Sequence, residues 1–272
     1  MIKLGVIHYN FPGFSFEQFL KFAADTGFGF VELQITDIWE KGETNPETNA
    51  ERVRRQVEAH GLRVSALAAQ NDFVQADPDA VRIQVSRMKK VCQVARILDQ
   101  EAVIRSEGGQ PKPGIPEDRW LDCMADCFER CLEFVQPMGI GIAIDNHGMI
   151  TNDGDLLYAL IRRINSPLFG SNLDTMNFRW RGNDVPTCNR FYEILAPHVL
   201  HTHIKDGFGS LGDYRGAALG DGEIDLRHAL TCLRNAGYRG TYTAEYEGPE
   251  AAGGVGYAKC FRWLQQELGP SA

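Results

Sequence analysis

Eight short apolar runs, separated by longer segments of a different rhythm, constrain this chain more than any other feature. They are Ile2 to Ile7, Phe30 to Leu33, Leu62 to Leu67, Ala102 to Ile104, Ile140 to Ile144, Leu168 to Leu173, Val199 to Ile204 and Thr241 to Ala244. Each is close to continuously apolar and rich in β-branched or aromatic residues, the pattern of strands covered on both faces. The segments between them carry helical periodicity. Phe16, Phe19, Leu20 and Ala23 share one face of the first, and Trp120, Met124, Cys127, Phe128, Cys131, Leu132 and Val135 form a stripe on another. Gly27, Gly61, Gly139 and Gly237 stand where left-handed helix caps are wanted, and Pro46, Pro78, Pro116 and Pro186 lie near helix starts.

Eight strand-then-helix units share the 272 residues at an average of 34 each, enough for a strand and its crossover helix. No Ser/Gly-rich linker divides them. Right-handed crossovers close eight such units most simply into one (β/α)8 barrel, so residues 1–272 are expected to form a single TIM-barrel domain. A doubly wound open sheet is the alternative, but the Gly-rich turn it needs after the first strand is missing: His8 is followed by Tyr9-Asn10-Phe11-Pro12-Gly13. No phosphate-binding P-loop occurs either.

Composition narrows the class. Hydrophobic residues at 43% support a full core, and a net charge of −8 disfavours a surface that grips nucleic acid or an anionic membrane. No window approaches the ~20 apolar residues of a membrane-spanning helix. The N-terminus lacks the basic leader and cleavage site of a signal peptide. Seven cysteines, an odd number without CxxC spacing, suit a reducing compartment. A soluble cytoplasmic protein is expected, and barrels with aromatic outer helices make a homo-oligomer a further possibility.

In a barrel the chemistry collects where the strands end. Here the ends carry His8; Glu32 and Gln34; Asn71 and Asp72; Arg105, Ser106 and Glu107; Asp145, Asn146 and His147; Asp174; His203, Lys205 and Asp206; and Glu245 and Glu247. Ionisable groups at the end of a buried strand are costly unless compensated. Asp145, Asp174, His203 and Glu245 stand on four consecutive strands about 4.8 Å apart, close enough for their side chains to converge. Three carboxylates and one imidazole are a hard, oxygen-rich set that suits one divalent cation, Mn²⁺ or Mg²⁺ before Co²⁺ or Zn²⁺. Without a cation the carboxylates repel one another.

The segments GIAIDNHG, SNLDTMN, HTHIKD, GDGEIDL and TAEYEG, in that order, resemble the xylose-isomerase-like barrel family of sugar phosphate isomerases and epimerases. The resemblance covers the whole chain in unit count, with its specific motifs in the second half. It implies that Asp145, Asp174, His203 and Glu245 bind one metal. It also implies an isomerase or epimerase that moves a proton next to a carbonyl in a keto-sugar, sugar derivative or cyclitol. Glu245 is then one proton-transfer group and Asp145 the other. Glu32, Arg105, Glu107, His147 and Lys205 are candidate contacts to the polar substrate. One departure stands out: the family usually has Glu where this chain has Asp145, which draws the carboxylate back by about 1.5 Å.

Other readings compete. A lyase of the same superfamily, dehydrating an inosose-like or dehydroshikimate-like substrate, starts from the same proton abstraction. A non-catalytic barrel that binds metal or sugar is a third possibility. An apurinic-site endonuclease needs further histidines, where this chain reads HIKDGFGSLGDY. Strand alternation leaves His201 and His203 on one face, and Glu245 and Glu247 likewise. The family pattern favours His203, and the end of the apolar run favours Glu245. Cys123, Cys127 and Cys131 read as core packing rather than a metal stripe. Phe11, Phe14 and Phe16 either wall a pocket or pack. Lys205 either meets substrate or neutralises a neighbouring carboxylate such as Asp206, and Arg105 either meets substrate or pairs with Glu107.

Overall fold

A computed structural model describes residues 2–39 and 44–269. All eight apolar runs are strands, and they close into a parallel barrel. Along the chain these are β1 (Lys3–Ile7), β2 (Phe30–Gln34), β3 (Arg63–Ala68), β4 (Val103–Ser106), β5 (Ile142–Asp145), β6 (Phe169–Asp174) and β7 (Val199–Ile204). A hairpin of β8 (Asp206–Phe208) and β9 (Arg215–Ala217) follows, and β10 (Thr241–Ala244) is the eighth barrel strand. Around the barrel each strand pairs with its sequence neighbour, and β10 closes the ring between β7 and β1. The result is a (β/α)8 barrel, as the alternation requires. Strands β4 and β5 run two residues and one residue past the apolar stretch, through Arg105–Ser106 and Asp145, where the backbone ladder continues onto β5 and β6.

Helices wrap the outside: α1 (Phe16–Thr26), α2 (Pro46–Ala59), α3 (Pro78–Leu98), α4 (Trp120–Met138), α5 (Gly154–Ile164), the short α6 (Asn177–Trp180), α7 (Val185–Leu195), α8 (Leu226–Asn235) and α9 (Val255–Leu268). Their ends follow from local chemistry. Ser15 and Gln18 form a reciprocal capping box on α1, and Asp77, Asp153, Asp184 and Asp225 accept first-turn amides of α3, α5, α7 and α8. Gly27 and Gly139 close α1 and α4 in the left-handed region, at φ 104° and 62°. No described helix is long and apolar enough to cross a membrane.

The core lies between barrel and helices. Phe128 of α4 meets Phe73 and Phe169 edge-on or tilted, at centroid distances of 4.8 and 4.6 Å. Cys123, Cys127 and Cys131 are buried in this layer and are packing residues. The N-terminal aromatics also pack: Phe11 stacks on Tyr257 at 4.5 Å and touches Phe14, Phe19 and Phe22, while Phe16 rests against His8 and Phe19. Removing the Phe128 ring leaves a cavity between two layers that cannot both collapse into it. Phe128→Ala is therefore expected to destabilise the fold by about 3–5 kcal/mol, measured as a lowered urea midpoint with an unchanged denaturant slope.

Candidate active site

Barrel register assembles the site. Asp174 and Asp145 are the last residues of β6 and β5. Asp174 lies level with His203 of β7, and His203 level with Thr243 of β10. Beyond the ladder, Asn146 ties β5 to β6: its amide accepts from Asp174 N (2.8 Å) and donates to Asp174 O (2.9 Å). One Asp174 oxygen, Oδ1, accepts from the amides of Met176 and Asn177 at 2.7 and 2.8 Å. The other oxygen is thereby turned into the barrel.

The structure brings Asp174, His203 and Glu245 together, each offering a ligand atom within 4.8 Å of the others, all buried. His203 Nδ1 lies 2.9 Å from Glu245 Oε2, but without the alignment of a hydrogen bond. Asp145 stands at the edge of this group. Its Oδ2 is 3.9 Å from His203 Nδ1 and takes a hydrogen bond from Arg105 Nη1 at 3.1 Å, as expected of a carboxylate one methylene shorter than Glu. Among the described residues, three buried polar atoms here have no aligned hydrogen-bond partner: Asp145 Oδ1, Asp174 Oδ2 and His203 Nδ1, the last in ion-pair contact with Glu245. An orphaned buried polar atom costs about 1–3 kcal/mol, so three of them in one site are not ordinary packing. With the carboxyls ionised and the imidazole neutral, as a cation would require, all three are lone-pair donors of the kind a hard divalent cation takes, and the residues present fit one.

Beneath the group, Glu32 reaches across the barrel axis and is fully buried. Its Oε1 accepts from Arg105 Nε (2.8 Å), and its Oε2 meets Nε2 of both His201 (2.9 Å) and His203 (2.7 Å). Above it, Lys205 Nζ donates to Glu245 Oε1 (3.0 Å), contacts Glu247 Oε2 (2.8 Å) and lies 3.8 Å from Asp174 Oδ2. Carboxylates outnumber Arg105 and Lys205, and the electrostatics follow. Burial pushes Asp174 up to about 7, with Glu245 and Asp145 adding to the rise against Lys205 and His203. Burial opposes ionisation of Glu32 and Glu245, but His203 with His201 and Arg105, and Lys205 with His203, outweigh it and hold both carboxyls low. Burial also opposes the charge on His203, yet Glu32 and Glu245 raise it well above an ordinary histidine.

A polar cleft of about 330 Å³ opens over this layer, lined by Tyr9, Asn10, His147, Asn177, Trp180, Lys205, Tyr214 and Glu247. Among the candidate contacts, His147 and Lys205 reach the cleft, whereas Glu32 and Arg105 are sealed beneath it. Glu107 is partly buried beside Arg105, at 3.4 Å. His201 bonds to Glu32 rather than to the cluster, and Glu247 sits at the rim. Asp206 is not a partner of Lys205. Its carboxylate accepts the amides of Gly207, Gly220, Gly222 and Ile224 at 2.9–3.2 Å, which pins the β8–β9 hairpin to the loop that follows. That hairpin delivers Tyr214, whose hydroxyl donates to Glu247 at 2.8 Å. Sequence reasoning passed over Tyr9, Asn177, Trp180 and Tyr214. Asn177 had a signal, three residues after Asp174 on the same tight turn, and the aromatic residues had none.

The sequence model of the xylose isomerase-like TIM barrel family matches residues 20–267. No curated protein sequence matches the chain. Solved structures do. The IolI protein with a binding zinc atom superimposes with a TM-score of 0.80 at 16% identity, covering 98% of each chain. A D-tagatose 3-epimerase-like protein gives 0.77 at 18% identity, over 98% of this chain and 97% of that one. The probable 3-DHS dehydratase AsbF from Bacillus anthracis gives 0.73 at 14% identity, over 97% and 99%. At such identities the likeness is one of fold.

The raised Asp174 carboxyl makes the metal-free protein pH-sensitive. Its folded value, about 7, lies above the ordinary 3.8. Its contribution to stability is therefore complete below the ordinary value and lost as pH rises through the folded one. Urea denaturation of metal-free protein is expected to show this share of stability falling between about pH 4 and 7, and Asp174→Asn is expected to remove that slope.

Proposed function

The chain belongs to the xylose isomerase-like TIM barrel family, and on that footing we propose that it is a divalent-metal-dependent isomerase or epimerase of a keto-sugar, sugar derivative or cyclitol. The observation that carries this reading is the set of orphaned buried donors, Asp145 Oδ1, Asp174 Oδ2 and His203 Nδ1, directly beneath a polar cleft of monosaccharide size. Asp174, His203 and Glu245 would hold the ion, with Asp145 as the fourth and more distant ligand. A bound divalent cation supplies Lewis-acid polarisation of a substrate carbonyl. The zinc named with the IolI protein and the epimerase likeness support the same reading.

This chain's residues do the rest. Glu245, held ionised by Lys205 and His203, is the group that takes the proton next to the carbonyl. Asp145 offers Oδ1, the oxygen Arg105 leaves free, to take a proton from solvent and return it to the carbon, while Glu245 releases the proton it took to solvent. Lys205 faces the cleft with its ammonium beside Glu245 and Glu247 and offsets negative charge developing on a substrate oxygen. His147 and Asn177 supply directional polar contacts, and Trp180 and Tyr9 present aromatic surface to the apolar face of a ring. Small-molecule sugar is thus the partner this cleft is shaped for.

The test is a panel of keto-sugars, inososes and dehydroshikimate incubated with metal-supplemented protein in deuterated water. An isomer that carries solvent deuterium and has lost no water is expected. Loss of water would assign the protein to the dehydratases instead, and failure of the wild type to bind a stoichiometric divalent ion would remove the metalloenzyme reading altogether. Glu245→Gln is expected to lower proton exchange by about 10²–10⁴-fold with the fold intact by circular dichroism. Exchange at the wild-type rate would take Glu245 out of the mechanism. Asp145→Glu should tighten metal binding, since the longer side chain closes the gap to His203, and calorimetric titration measures it.

A further inference from the structure

Glu32 does more than fill the barrel floor. Strand β2 lies across the barrel from β7, with β1 and β10 between them on one side, so the Glu32 side chain spans the interior to reach His203. Its two oxygens have separate tasks: Oε2 meets Nε2 of His203 and of His201, and Oε1 takes Nε of Arg105. A carboxylate only accepts, so the His203 nitrogen 2.7 Å away must carry a hydrogen. In the neutral ring the lone pair then resides on Nδ1, the atom that faces Glu245 and Asp145. Arg105 in turn uses Nη1 to hold Asp145 Oδ2 at 3.1 Å, which leaves Oδ1 as the unpartnered oxygen.

We propose that Glu32 is a positioning residue of the metal centre, holding His203 in the tautomer that presents Nδ1 and, through Arg105, holding Asp145 beside it. The inference rests on the metal-centre reading above and deepens it. His201, which shares Oε2 and meets Thr243 Oγ1 at 3.2 Å, steadies the carboxylate. The trio of Glu32, His201 and His203 is itself compact enough to hold an ion, but both histidine Nε2 atoms are already at hydrogen-bond distance from Glu32 Oε2. The orphaned atoms lie on the other side of the His203 ring. Carboxylate partners of ligating histidines typically carry a 10–100-fold effect on metal affinity.

Two measurements decide the matter. Metal-free wild type and Glu32→Gln are titrated with Zn²⁺ against a chromophoric chelator, with folding checked by circular dichroism and urea midpoint. Gln keeps the shape but turns an amide N–H₂ toward either Arg105 or the two imidazoles, donor against donor. A loss of about 10–100-fold in affinity is expected, whereas a purely structural Glu32 would lower the urea midpoint and leave the affinity of the folded fraction alone. Independently of any variant, ¹⁵N-histidine NMR of the Zn²⁺-loaded wild type is expected to show His203 protonated at Nε2 and metal-bound at Nδ1. Metal at Nε2, or an unchanged affinity in folded Glu32→Gln, would overturn the role of Glu32. A wild type that takes up no Zn²⁺ would overturn the metal centre itself, so the two failures are distinguishable.

Discussion

Every polar feature of the barrel's upper end depends on one constraint: carboxylates sealed away from water need compensation within reach. Glu32 and Asp174 are completely buried, and Asp145 nearly so. Backbone amides absorb part of the demand at Asp174, and Arg105 absorbs part at Glu32 and Asp145. Lys205 serves Glu245 and Glu247. What remains, among the described residues, is a small set of polar atoms with no aligned partner, carried by the ends of β5, β6 and β7. The barrel supplies the geometry because its strands are held in register, and the helices supply the dry surroundings that make each missing partner costly.

Much of this was legible in the chain. Strands buried on both faces write themselves as unbroken apolar runs, which is why all eight were found, and the polar residue that ends each run marks the rim. Depth was not legible. Alternation assigns Glu32 and His201 to the interior but cannot say that they form a layer below His203, because that depends on barrel stagger. Thus Glu32 and Arg105 read as substrate contacts in sequence and sit beneath the cleft in the structure. The hairpin at β8 and β9 was equally hidden: three-residue strands carry no periodicity, and Tyr214 reaches the cleft only because the hairpin folds back over it.

The consequence of Asp145 in place of Glu follows from the same stagger. A full-length side chain would carry its carboxylate into the cluster of Asp174, His203 and Glu245. The shorter one stops where Arg105 can hold it. The group is therefore a close trio with a tethered fourth member, and strand β4 shapes it through Arg105.

Asp206 has a quieter effect. Next to Lys205 in sequence, it faces the other way and is satisfied by four backbone amides of the loops around it. Had it turned inward, it would have formed a closed ion pair with its neighbour. Because peptide dipoles meet its charge instead, the wall that carries Tyr214 is anchored by the residue that leaves that lysine to Glu245 and Glu247.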